Sequence, residues 1–394
     1  MPDSPQKQMF RSIEVKLRPP GAATEVRINR TLDLCRNLYN VALEEKRRSY
    51  DRFQTSPSFF DQCKSFTEIR QNDKEYADLD VTMVRITSLK RNDLAVKAFY
   101  ARCKRGETPG YPRFKGKDRF DTLVFGTSGW KRSGLSLQVK GIGRLRLTSS
   151  PAIKGTVRGL KLVRRSSGLY CQFLTSLGEA PAMIDSKSPV GIDVGLETFA
   201  TLSDGTVIEN PRFLKRSQEK LKALQRSLST KLRGSNNRRK AKALLARESE
   251  KIANRRKNFL HRVTRDLVNR YDGFFVEKLD IKQMVDKDRP IRDRTESGKR
   301  GLRRNIMDAA WSIFSFFLGY KAEEAGKPKR DVDPWGTSAR CSGCGKIVWK
   351  TLKTRQHSCP CGLVINRDFN SACNILDLGL KVSGDAATED LGES

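Results

Sequence analysis

The stretch Pro189-Val190-Gly191-Ile192-Asp193-Val194-Gly195-Leu196 constrains this chain more than any other. Val190, Ile192 and Val194 are β-branched and apolar, as a central strand requires, yet Asp193 lies inside the run. Burying a carboxylate is costly unless it is paired or bound to a metal. Gly195 has no side chain, so a backbone or a ligand can come close there. Glu197 to Leu202 then turns back as a second strand, and Ser203-Asp204-Gly205-Thr206 suits a tight hairpin turn. A strand-end residue accepting turn hydrogen bonds explains Asp193 equally well at this level.

The net charge of +32 on 394 residues points to a polyanionic partner, of which nucleic acid is the commonest. No apolar run is long enough to span a bilayer, and no leader-like segment follows Met1, so a soluble, cytoplasmic, nucleoid-associated protein is expected. Four of the nine cysteines cluster between Cys341 and Cys361. Cys35, Cys63, Cys103, Cys171 and Cys373 are scattered and read as reduced core thiols.

Along the chain, Phe10 to Leu17 alternates as a strand, and Ala23 to Tyr50 has helical period, with more helices to Arg102, among them Thr82 to Phe99. Residues 107–180 return to strands: Thr122–Phe125, Leu135–Lys140, Gly143–Leu147, Gly159–Arg164 and Tyr170–Ser176. This suggests a small barrel or sandwich completed by the first strand, with the helices inserted. Arg164, Arg165 and Tyr170 suit either a nucleic-acid face or a charged, solvated strand edge.

Residues 211–270 read as a helical hairpin with about twenty Lys or Arg against Glu219, Glu248, Glu250 and Asp266. One sign of charge so dominant favours phosphate-backbone contact, which is salt-dependent and reads no sequence. Gly273 to Ile281 is another apolar strand carrying a carboxylate, Glu277. Lys282 to Arg304 reads as a mobile loop, and Ile306 to Glu324 as one amphipathic helix with Trp311, Phe314, Phe316, Phe317 and Leu318 in the core.

Cys341-Ser342-Gly343-Cys344-Gly345 and Cys359-Pro360-Cys361-Gly362 form two knuckles. Cysteine thiolates so spaced bind one structural Zn²⁺ tetrahedrally, with His357 a possible substitute ligand. Asp368 then stands near the start of a helix ending about Leu380, followed by a polar tail, residues 382–394, expected to be disordered. Asp193, Glu277 and Asp368 are far apart in sequence, so only a fold could unite them. Converging carboxylates suit two Mg²⁺ ions about 4 Å apart, which stabilise both oxygens of an in-line displacement at phosphorus.

Gly191-Ile192-Asp193-Val194-Gly195, Val276-Glu277-Lys278-Leu279, Thr337 to Gly345 and Arg367-Asp368-Phe369-Asn370-Ser371-Ala372 together resemble the split RuvC nuclease and zinc ribbon of TnpB proteins, the RNA-guided nucleases encoded by insertion sequences. Arg36-Asn37-Leu38-Tyr39-Asn40 and Tyr111-Pro112-Arg113-Phe114-Lys115-Gly116 are similar to that family's N-terminal segments. The resemblance implies a multidomain α+β chain with an RNase H-like (RuvC) α/β core over 185–335 and 365–381 and a zinc ribbon over 336–364. It further implies a wedge β-barrel over 1–22 and 106–184, with a helical recognition lobe inserted at 23–105. Asp193, Glu277 and Asp368 would be both catalytic and Mg²⁺-binding, and Cys341, Cys344, Cys359 and Cys361 would hold zinc. The implied partners are a guide RNA from or beside the chain's own gene and double-stranded target DNA next to a short motif, bound by a monomer. The chain departs from the family pattern in its C-x-C knuckle, in Ser371 and in Lys278.

Three other readings compete with a TnpB-type DNA endonuclease that leaves a 3′ hydroxyl. A compact type V CRISPR effector is hard to separate by sequence. A guide-dependent repressor without cleavage is disfavoured by three intact carboxylates. A sugar-kinase or actin-like ATPase is disfavoured by the knuckles and the charge.

Overall fold

The computed structural model describes residues 8–288, 295–351 and 354–389, apart from the side chains of Asp118 and of the last helix beyond Lys381. The chain divides after Glu179 into two compact units.

In the first unit, β1 (Gln8–Lys16) leads into helices α1 (Ala22–Phe53), α2 (Phe59–Asn72), α3 (Lys74–Ala77), α4 (Val81–Val84) and α5 (Arg91–Lys104). A π-helical turn, Arg85–Lys90, joins the last two. On α1, Ile28, Leu32, Cys35, Tyr39, Ala42 and Leu43 recur at helical spacing and are buried, whereas Val26 and Val41 face solvent. Ser58 and Asp61 form a reciprocal capping box that starts α2. Strands β2 (Thr122–Phe125), β3 (Trp130–Ser133), β4 (Ser136–Val139), β5 (Gly143–Arg146), β6 (Thr156–Arg165) and β7 (Gly168–Glu179) follow. They make an antiparallel sheet ordered β1-β7-β6-β2 and a β3-β4-β5 meander, linked by a bridge between Leu17 and Leu147.

Two sequence motifs of this unit meet. The Asn40 side chain accepts from the Lys115 N–H at 2.8 Å and donates to the Lys115 carbonyl at 3.1 Å, clamping the basic loop onto α1. Arg165 pairs with Glu14 on β1 and stacks 4.8 Å over Tyr170, and Arg164 pairs with Glu25 on α1 at 2.6 Å. These arginines therefore tie β6 to its neighbours. Cys103 is exposed, unlike the buried Cys35, Cys63 and Cys171, because it lies in the last turn of α5, outside the core. It is not a core thiol.

The second unit holds β8 (Pro189–Val194), β9 (Thr198–Leu202), β10 (Val207–Glu209), α6 (Phe213–Ser229), α7 (Asn236–Arg270), β11 (Gly273–Glu277), α8 (Ile281–Val285), α9 (Glu296–Ala309), α10 (Trp311–Glu324), β12 (Lys329–Val332), β13 (Gln356–Ser358), β14 (Val364–Asn366) and α11 (Arg367–Glu389). Its main sheet is ordered β10-β9-β8-β11-β12. β9 runs antiparallel to β8 and β10 antiparallel to β9, whereas β11 is parallel to β8 and β12 to β11.

Strand alternation sorts this sheet's residues onto two faces. Val190, Ile192, Val194, Phe274 and Val276 point into a core with Leu260 and Leu267 of α7 and Phe314 and Leu318 of α10. Gly191, Asp193, Phe275 and Glu277 point the other way, where α11 lies. At Gly191 an added Cβ would sit 2.2 Å from the Ala372 carbonyl oxygen, so only glycine lets this helix approach. The close contact at Gly195 is with Thr198 of its own hairpin instead.

Three expectations need correction. Residues 282–304 are not one loop: α8 and α9 occupy much of the stretch, and Thr295 caps α9 through its hydroxyl. Leu302, Ile306 and Ala309 give α9 a short apolar stripe, too sparse to stand out amid its charges. Residues 289–294 lie outside the described residues. The helix expected from Ile306 to Glu324 breaks at Ala310, whose φ of +56° ends α9 and begins α10. The last helix runs on to Glu389 instead of ending near Leu380; residues 390–394 lie outside the described residues. No helix among the described residues is long and apolar enough to cross a membrane.

Candidate active site

β8 and β11 are parallel neighbours in register, with Ile192 opposite Val276. Asp193 and Glu277 are the next residues along, so register and parity place both carboxylates side by side on the α11 face. Asp368 comes from the first turn of α11, whose start is capped by the Asn366 side chain accepting from the N–H groups of Asp368 and Phe369. All three predicted carboxylates thus lie near one another at the C-terminal ends of the adjacent central strands β8 and β11.

Their surroundings differ. Asp193 is half-buried, and no described residue donates a hydrogen bond to its carboxylate or forms an ion pair with it. Burial pushes its carboxyl well above the usual range, and the charges of Glu277 and Asp368 push it further, against a smaller pull from Arg367. Glu277 is also raised by burial, opposed by the Thr337 hydroxyl that donates to its Oε1. Asp368 is held by Arg367 at 3.3 Å and by Arg355 at 3.7 Å, and Arg355 also reaches Glu197 at 2.8 Å.

The cysteine cluster is tighter. The Sγ atoms of Cys341, Cys344, Cys359 and Cys361 all lie within 4.8 Å of one another. Among the described residues the three carboxylates form no group that close. Gly345 and Gly362, with φ of +77° and +93°, turn each knuckle back toward the sulfurs, a conformation other residues resist. At Cys341 burial, which raises the thiol, is outweighed by N–H groups of Cys344 and Gly343 and by the adjacent His357, which bring it down to about 6. Four sulfurs grouped this closely, with Cys341 biased toward thiolate, fit a tetrahedral zinc site. His357 is fully buried and is not in the sulfur group; its Nδ1 pairs with Lys350.

Several residues that hold the site carry no assigned role in the sequence reading, although Thr337 and Asn370 lie within its motifs. Thr337 touches Glu277, and Asn370 and Asn374 of α11 grip the backbone that leads into the first knuckle. A further sequence hint is the Asn370/Asn374 pair at helical i,i+4 spacing just after Asp368. β12 was missed because Lys329, Arg330 and Asp331 look nothing like a buried strand; it is the sheet's edge, where charge is tolerated.

Comparison with known proteins bears on this geometry. The OrfB_IS605 family, described as "Probable transposase", matches residues 172–288, and the Cas12f1-like TNB domain matches residues 311–375. A Streptomyces pristinaespiralis protein provisionally named an RNA-guided DNA endonuclease is 30% identical, over 96% of this chain and 91% of its own. The Escherichia coli K12 protein InsQ, given the same provisional name, is 29% identical over 94% of this chain and 92% of its own. The solved structure of the mini RNA-guided endonuclease CRISPR-Cas phi3 aligns at TM-score 0.50 over 95% of this chain and 92% of that one, at 10% identity, a likeness of fold alone. With a relative this similar across nearly the full length of both sequences, and with the motifs around Asp193, Glu277, Cys341 and Asp368 all in place, the chain belongs to the TnpB family of RNA-guided DNA endonucleases.

Proposed function

We propose that this protein is an RNA-guided DNA endonuclease of TnpB type whose RuvC-type site is Asp193, Glu277 and Asp368. The observation that carries the reading is Asp193: a half-buried carboxylate with no donor among the described residues, facing two further carboxylates. Such an arrangement is repulsive unless a cation joins it. The donor set is all oxygen, which suits Mg²⁺, and two such ions would stabilise the attacking and leaving oxygens of phosphodiester hydrolysis. The order β10-β9-β8-β11-β12, with its antiparallel half and parallel half, is consistent with an RNase H-like core.

The residues divide the remaining work. Asp193 and Glu277, placed by strand register, and Asp368, placed in the first turn of α11, would supply the carboxylate oxygens that hold the cations. Arg355, already on Asp368 and Glu197, offers a guanidinium suited to a phosphate of the cleaved strand. The cysteine knuckles would hold a structural zinc, leaving no open position for chemistry. Exposed cations on α6 and α7 would hold nucleic-acid backbones, while base pairing with a guide RNA transcribed from or beside the gene reads the target. We assign the first unit to the wedge and recognition roles, including reading of a short target-adjacent motif. A monomer with one guide RNA, acting in the prokaryotic cytoplasm, completes the proposal.

The test is to purify the protein with its RNA, sequence that RNA, and incubate the complex with matching double-stranded DNA and Mg²⁺. Cleavage by the wild type, with Asp193→Ala still binding the target but not cutting it, supports the proposal. Equal cleavage by Asp193→Ala refutes the site.

A further inference from the structure

Between Val332 and the first cysteine knuckle the chain passes beside Glu277. The Thr337 hydroxyl donates to Glu277. The Thr337 carbonyl accepts from Asn374 Nδ2 at 2.8 Å, and the Arg340 carbonyl accepts from Asn374 Nδ2 and Asn370 Nδ2, each at 2.7 Å. Asn370 Oδ1 accepts from the Ser342 N–H at 2.9 Å, beside Cys341. Both amide hydrogens of Asn374 are thereby used, one on each carbonyl. Thr337, Asn370 and Asn374 are only 3%, 0% and 3% exposed. Buried amides are tolerated only where their partners are met in fixed geometry, so this network specifies one placement of the 337–342 segment against α11.

That placement has a consequence for the metal-binding carboxylates. Glu277 is on a strand and Asp368 on a helix, and no hydrogen bond joins them. What relates them is the clamp: Glu277 to Thr337, Thr337 to Asn374, and Asn374 along α11 to Asp368. The same six-residue segment ends in the knuckle. We infer that Thr337 is a positioning residue for Glu277, that Asn370 and Asn374 fix it relative to Asp368, and that an ordered cysteine knuckle thereby raises the affinity of the carboxylate site for divalent cations. Partners of metal ligands commonly matter by 10–100-fold in affinity. Coupling between two sites is reciprocal, so an occupied carboxylate site must also steady the knuckle. The inference rests on the reading of Asp193, Glu277 and Asp368 as the cation site, and its test separates the two.

Mn²⁺ binding to the protein–RNA complex is measured by electron paramagnetic resonance, for wild type, Asp193→Ala, Thr337→Ser, Thr337→Val and Asn374→Ala, with zinc content measured in each. The expected result is a Mn²⁺ site lost in Asp193→Ala, weakened about 10-fold or more in Thr337→Val, and restored to within about 3-fold of wild type in Thr337→Ser, which keeps the hydroxyl. Raising Mn²⁺ should then recover most of the cleavage rate of Thr337→Val, because what was lost is cation affinity. Asn374→Ala should weaken Mn²⁺ binding while retaining zinc; if it fails to fold, the Thr337 pair decides. Wild-type affinity in Thr337→Val overturns the inference and leaves the carboxylate site standing. Equal Mn²⁺ binding by wild type and Asp193→Ala overturns both.

Discussion

The second unit gathers two sets of potential metal ligands, and they are built on opposite principles. The four cysteines come from two short loops, each bent by a glycine, and their sulfurs crowd within 4.8 Å. The three carboxylates come from two strands and a helix, stand further apart, and repel one another. A thiol can lie against another thiol at little electrostatic cost because it can stay protonated. A carboxylate at neutral pH cannot shed its charge so cheaply. The cysteine set is thus a local device that draws its own loops together, and the carboxylate set is a strained arrangement held open by the sheet and α11. The cysteine set closes on itself; the carboxylate set carries mutual repulsion that the fold must hold.

The sharpest way to break this contrast is to neutralise the carboxylates one at a time. Asp193→Ala, Glu277→Ala and Asp368→Ala should each lower cleavage about 1,000-fold or more while target binding by gel shift stays within a few-fold, since a metal site supplies most of the transition-state stabilisation. Cys341→Ser, or zinc chelation, should act mainly on folding: calorimetry is expected to show the melting temperature falling by roughly 5 °C or more, as structural zinc binding is coupled to folding. An unchanged melting profile would count against the zinc ribbon.

Protonation distinguishes the two sets more finely. Asp193 and Glu277 have carboxyls raised above their unfolded values. Their stabilising contribution is full below the ordinary carboxylate pKa near 4 and is lost as pH rises through the raised values. Without divalent cations the protein should therefore lose stability as pH climbs above about 4, and Asp193→Asn should recover about 1–3 kcal/mol at neutral pH by denaturant melting. Mg²⁺ should abolish that advantage. A variant no more stable than wild type would show that the carboxylates are not in conflict. The smallest effect is a control outside both sets: Arg255→Gln with Lys257→Gln, exposed on α7, should weaken nucleic-acid binding by a few-fold and reduce the slope of affinity against salt by about 1 per lost phosphate contact, without altering melting.

The contrast also explains what could be read in advance. The cysteine cluster was legible because its ligands are neighbours in sequence and spacing alone implies geometry. Asp193 and Glu277 were legible as anomalies, acids inside apolar strands, but their meeting depended on a strand register that no local pattern encodes. Asp368 by itself passes for a helix cap. Thr337 and Asn370 stand inside recognisable motifs, but their roles, like that of Asn374, are not legible, because each is an ordinary polar residue whose value lies in a partner 30 or more residues away. The Lys282–Arg304 stretch was misread because charge on the outer face of α9 hid the few apolar residues on its inner face.

At Gly191 the helix bearing Asp368 rests on bare main chain, peptide against peptide, where even a methyl group would fall 2.2 Å from a carbonyl. The spacing between α11 and β8 is therefore gauged by the thickness of a polypeptide backbone. Rotamers offer no slack with which to adjust it. Any larger residue there would lift the helix like a shim, so a residue with no side chain sets how near Asp368 comes to β8.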